Sequence, residues 1–278
     1  MKRILFPTDF SETAGTAFHY ALRLAGVLNA ELIILHVYDL PIVDTPPLPD
    51  STQEIFDIVE MNQFESFREQ LPELHKVAEQ ANMGHISMRN ILLYGDLVYN
   101  INKVCKDEDV SIVVMGTKGG SGLKETFMGS TTASVISGTS VPVLAVPAGA
   151  AYTRISNIAF TTQYHDKDSE AMHSTLQIAD ALGAGIKCLH IEKEEGHTET
   201  EERINEWKMY FKGRNVSFYN IAGNDVEQSL LEFLEHHKID MLVMRAHKRG
   251  FFEGLFHKSL TKKMAYHSSV PLLVYHEN

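Results

Sequence analysis

The chain has 278 residues, with 25 basic side chains against 36 acidic ones and a formal net charge of −11. That balance argues against broad binding to nucleic acid or an anionic membrane, since both need an electropositive footprint. The start, MKRILFPTDFSETA, lacks a signal-peptide core, and no window approaches the ~20 apolar residues of a membrane span, so a cytoplasmic location is expected. Cys105 and Cys188 sit in apolar runs without CxxC spacing and read as buried reduced thiols, not as a disulfide or zinc site.

In chain order, short β-branched runs alternate with amphipathic segments, the pattern of a parallel sheet with helical crossovers. Strands are expected near 2–7, 31–37, 86–93, 110–115 and 142–146. Between the first two, Ala14, Ala17, Phe18, Ala21, Leu22, Ala25 and Leu28 share one helical face, with Ser11 as N-cap and Glu12 in the first turn. The Pro-rich stretch from Asp39 to Asp50 resists regular structure and reads as a lid or packing surface. Phe64, Phe67, Leu71 and Leu74 continue the helical spacing beyond it, and Pro72 is expected to kink or break that helix.

The pattern is then written a second time. Arg3 to Asp9 matches Asn157 to Gln163, Leu35-His36-Val37 matches Leu189-His190-Ile191, and Ser111 to Met115 matches Asp240 to Met244. Val141-Pro142-Val143-Leu144 matches Val270-Pro271-Leu272-Leu273, at the same 129-residue offset that separates Met115 from Met244. A period of this length suits a complete domain, so two fused copies are expected, residues 1–147 and 153–278, joined near Pro147 to Ala151.

A glycine-rich run follows the fourth strand: Gly116-x-x-Gly119, nine residues, then Gly129-Ser130. It is no Walker A loop, because no lysine directly follows its second glycine, and the first strand turns through Pro7-Thr8-Asp9 without GxGxxG. Glycines let backbone amides approach an anion, and Gly129-Ser130-Thr131 opens a helix whose free N–H groups attract one. As plain structure the same glycines would only make a tight turn.

With G-x2-G-x9-G-S, the Pro7-Thr8-Asp9 strand end, His36-Val37 and the terminal Val-Pro-Val strand together, each half resembles a universal stress protein domain, and the chain is similar to a tandem form. The resemblance implies an α/β fold of two doubly wound five-stranded parallel sheets, each of order 3-2-1-4-5, Rossmann-like in the manner of the adenine nucleotide alpha-hydrolases. It implies an adenine-nucleotide site for ATP, ADP or AMP, with or without Mg2+. Asp9 would accept from ribose hydroxyls, Val37 would lie near the base, and Pro7 and Thr8 would line the pocket. Gly116, Gly119, Gly129, Ser130 and Thr131 would hold the phosphates. On the bland reading Asp9 caps the first helix and Val37 is core. The family's pairing of fifth strands further implies an intramolecular pseudo-dimer, with a homodimer of chains left open.

The second copy departs from this motif. Gly116, Gly119 and Gly129 become Arg245, Lys248 and Lys258, Asp9 becomes Gln163, and only Ser130 persists, as Ser259. From Arg245 to Lys263 run six basic residues, the others being Arg249 and Lys262, against the single acid Glu253. They read as a solvated helix face or as an anion or partner site; Phe251, Phe252, Leu255 and Phe256 in the same stretch read as packing surface. No Ser-His-Asp, Cys-His or HExxH spacing occurs, so no catalytic or metal residue is assigned. The expected role is an ATP-binding stress-response or signalling module with one nucleotide in the first half. Alternatives are a slow ATPase or phosphotransfer protein, or a nucleotide-independent scaffold acting through the basic second half; the protein partner is unknown.

Overall fold

A computed structural model describes residues 2–39, 49–117, 129–152, 154–192, 198–246 and 270–276. The first half runs β1 (Arg3–Pro7), α1 (Glu12–Leu28), β2 (Glu31–Tyr38), α2 (Pro49–Gln80), β3 (Met88–Tyr94), α3 (Leu97–Asp107), β4 (Ile112–Gly116), α4 (Ser130–Gly138) and β5 (Val143–Val146). The second runs β6 (Asn157–Thr161), α5 (Asp166–Leu182), β7 (Gly185–Glu192), α6 (Thr198–Tyr210), β8 (Val216–Ala222), α7 (Val226–His236), β9 (Met241–Arg245) and β10 (Leu272–Tyr275). Within each half the strands are parallel, in the expected order 3-2-1-4-5.

The two sheets are continuous. β5 and β10 pair antiparallel, with Leu144 opposite Leu273, giving one ten-stranded sheet, β3-β2-β1-β4-β5-β10-β9-β6-β7-β8. Each of these fifth strands would otherwise present an unpaired edge of buried apolar residues, and pairing satisfies both. The period-2 alternation of the strands separates two cores: Ile4 and Phe6 face α1 and α2, while Leu5 faces α3 and α4.

The halves repeat each other in local detail. Asn29 and Gly183, each ending the first helix of its half, share left-handed backbone, as do Phe10 and Tyr164 in the loops before those helices. His36 Nδ1–H donates to the Thr8 carbonyl at 2.7 Å, and His190 Nδ1–H to that of Thr162 at 2.8 Å. These two histidines therefore tie second strands to first-strand ends, a structural role.

Three sequence expectations need correction. Pro72 does not break α2, which runs unbroken for 32 residues; it lies on the exposed face, where water can reach the Arg68 carbonyl that a proline leaves without a donor. Phe64 is not in the packed stripe but 50% exposed, near exposed Ile58 and Met61, while Phe67, Leu74 and Ala78 are buried. The Asp39–Asp50 loop is shorter than expected, since helix begins at Pro49, a favoured first helical position; residues 40–48 lie outside the described residues.

Candidate functional site

β1 and β4 are neighbours, and their carboxyl ends lie where the crossovers diverge to opposite faces of the sheet, the usual ligand position in an open α/β sheet. After Pro7 the chain makes a tight, self-bonded turn. The Phe10 amide donates to Thr8 Oγ1 at 2.9 Å, the Ser11 amide to Asp9 Oδ1 at 3.0 Å, and the Ala14 amide to Ser11 Oγ at 3.3 Å. Ser11 is thus the N-cap of α1, as its position predicts. Pro7 and Thr8 are buried, but Asp9 is exposed, and one amide uses only part of its carboxylate's capacity to accept.

Opposite, the chain leaves β4 at Gly116, and Thr117 N–H bonds the Val146 carbonyl at 2.9 Å. Gly129 returns to the same place, donating its amide to the Thr117 carbonyl at 2.6 Å and capping α4 with no side chain. The Ala133 amide bonds Gly129 O, so the amides of Ser130, Thr131 and Thr132 precede the first intrahelical bond. No acidic residue occupies that first turn, so the turn itself supplies no counter-charge to the positive end of the helix.

Beside these strand ends lies an open cleft of about 120 Å³, a partial enclosure smaller than the roughly 300–1,000 Å³ of small-molecule sites. Pro7, Thr8, Asp9, Val37, Gly116 and Thr131 line it, gathering residues from both ends of the first half. Gly129 and Ser130 do not border it: Gly129 forms the cap and Ser130 is exposed on the first turn. Gly119, with the rest of 118–128, lies outside the described residues, as do Lys248, Arg249, Lys258, Ser259, Lys262 and Lys263 and the nearby phenylalanines.

Four further lining residues escape sequence reasoning: Ala14, Leu97, Met115 and Thr132. Ala14 has the spacing of a core residue, and only the neighbouring strand end opens a gap beside it. Leu97 follows Asp96, whose carboxylate accepts from the Tyr99 amide and caps α3, so a capping signal could have placed it at a helix mouth. Thr132 Oγ1 donates to Gly116 O at 2.9 Å and fixes α4 to the strand end. Gly116 also has a packing reason to be glycine: a Cβ there would lie 2.8 Å from Thr13 Cγ2 and 3.0 Å from the Thr13 carbonyl oxygen.

The thiols stand apart from this chemistry. Burial pushes both Cys105 and Cys188 up to about 12, and neither borders the cleft. Among the described residues no group of three or more His, Cys, Asp or Glu side chains could hold a metal ion, and no helix is long and apolar enough to cross a membrane.

Comparison with known proteins bears on the family and the fold. The model of the Universal stress protein family matches residues 1–147 and 189–276. Over 155 residues the chain is 30% identical to universal stress protein MJ0577 of Methanocaldococcus jannaschii, spanning 52% of this chain and 94% of that protein. Universal stress protein YxiE of Bacillus subtilis is 31% identical over 144 residues, 52% of this chain and 97% of its own. A solved universal stress protein from Archaeoglobus fulgidus superposes with a TM-score of 0.74 at 21% identity, covering 99% of this chain and 98% of that one, a likeness of fold alone.

Proposed function

Because the chain belongs to the universal stress protein family, we propose that its first half binds an adenine nucleotide in the cleft between Asp9 and the Gly116 strand end. One observation supports this above the rest: an exposed carboxylate and an acid-free first helical turn border one cleft whose other lining includes Val37, Leu97 and Met115. A nucleotide has the matching polarity, with hydroxyls to donate, a flat base to bury and phosphates to accept.

Asp9 accepts from the ribose hydroxyls, with the Ser11 amide holding the carboxylate in orientation. Val37 packs against the base. The free amides at the start of α4 and the Thr131 hydroxyl receive phosphate oxygens, while Gly129, its own amide bonded to the Thr117 carbonyl, opens the helix with no side chain in the way. Mg2+ would accompany a triphosphate through phosphate oxygens and water. On this reading residues 1–147 and 153–278 are two domains of a cytoplasmic stress-response or signalling module, and occupancy of the first is its signal.

The test is direct. Purified protein is denatured and its supernatant analysed by mass spectrometry for adenine nucleotide, and nucleotide-stripped protein is titrated calorimetrically with ATP, ADP and AMP. One site per chain that weakens in Asp9→Ala and Thr131→Val is expected. No bound nucleotide together with no heat from any of the three would refute the reading.

A further inference from the structure

Aligned with the first half, the second replaces two cleft-lining positions at once: Ala14 corresponds to Asp168 and Gly116 to Arg245. Their side chains meet. Arg245 Nε donates to Asp168 Oδ1 at 2.5 Å, with side-chain exposures of 5% and 2%. The other carboxylate oxygen accepts from Thr162 Oγ1 at 2.9 Å and from the amides of Gln163 and His165, both at 3.2 Å. Three of these four donors belong to counterparts of Thr8, Asp9 and Gly116, all lining residues of the first cleft. The fourth, His165, corresponds to Ser11, the α1 cap.

α5 also touches β9 far less extensively than α1 touches β4, which leaves room for a guanidinium where, in the first half, Thr13 crowds Gly116. A buried ion pair needs its remaining hydrogen-bonding groups supplied; on the carboxylate side they are, while on the guanidinium side the Nη1 atom is buried without a hydrogen bond among the described residues. Where the first half has Gly116 and Ala14, the second thus has a cation and the carboxylate that pairs with it.

We propose that the second half has become an anion site occupied by the chain's own Asp168 carboxylate, with Arg245, Thr162 and two backbone amides as its receptor. The site is thereby closed to nucleotide, and the same donors would receive a small free carboxylate such as formate once Asp168 is truncated. One-per-chain stoichiometry rests on the nucleotide reading above, but the anion chemistry does not.

The experiment is chemical rescue of Asp168→Ala in the full chain. Thermal and urea unfolding are followed in sodium formate and in sodium chloride at equal ionic strength. Formate at ten times its dissociation constant is expected to shift the folding equilibrium of Asp168→Ala about tenfold, with no comparable shift in the wild type or in Asp168→Ala/Arg245→Gly. If Asp168→Ala does not accumulate in folded form, formate in the refolding buffer is expected to restore it. Equal responses in the variant and the wild type, or no rescue by either route, would overturn the proposal. So would two nucleotides per wild-type chain, whereas none at all would refute only the nucleotide reading and leave the formate result to decide this one.

Discussion

Gly116→Ala tests whether the close approach of α1 to β4 shapes the cleft. The new Cβ would stand 2.8 Å from Thr13 Cγ2, 3.0 Å from Thr13 O and 3.1 Å from Thr13 C. The first of these can be relieved by a side-chain change, but the other two are backbone, so the first turn of α1 must move by some tenths of an ångström. Forced overpacking of this kind costs about 1–3 kcal/mol, which for a chain of this size is roughly 2–10 °C in Tm. The displaced turn carries Ser11, the cap that orders the Asp9 loop, so nucleotide affinity should fall together with stability. Urea unfolding of Gly116→Ala, Thr13→Ser and the double variant forms a cycle. Thr13→Ser removes Cγ2 and leaves the carbonyl contact, so partial rescue is expected. An unperturbed Gly116→Ala, or full rescue by Thr13→Ser, would show that the backbone approach is not what demands glycine.

Three further outcomes are expected. Asp9→Asn keeps an acceptor for the Ser11 amide but loses the charge, so it should fold like wild type while binding ATP at least about tenfold more weakly, as for loss of a charge-assisted hydrogen bond of about 1.5–3 kcal/mol; unchanged calorimetric affinity would count against the ribose role. Burial holds His276 below its ordinary value of 6.5, so below pH 6.5 the unfolded chain takes up this proton more readily than the folded one. Its contribution to stability is therefore present above that pH and lost on acidification through the folded value, and His276→Gln should flatten urea-midpoint curves measured between pH 7 and 5. Cys105 and Cys188, raised to about 12 by burial, should resist iodoacetamide at pH 8 until the protein is unfolded, as peptide mass mapping would show; rapid native labelling would contradict their burial.

Much was legible in the sequence because its causes are local. The apolar face of α1 and the Ser11 cap are read from spacing within one helix, and the repetition of the chain from matched strand ends at a fixed offset. The parallel α/β class follows from alternating periodicities, and the strand order came with the family resemblance that several separated motifs carried. Where a single local rule stood against its surroundings it misled: Pro72 is tolerated because its face meets water, and Phe64 keeps helical spacing on a side that nothing covers.

Only the tertiary structure decided what faces what. Ala14 and Asp168 occupy equivalent turns of equivalent helices, yet the first borders a cleft and the second is held by a guanidinium 77 residues away in sequence. In sequence Arg245 reads as the first of six cations on a solvated face or an anion site; in the fold it is a buried partner for one carboxylate. Composition and periodicity report which surfaces a segment can bury, but a charge's meaning depends on the donors and acceptors within about 3 Å of it, and those are set by crossovers that bring distant strand ends together.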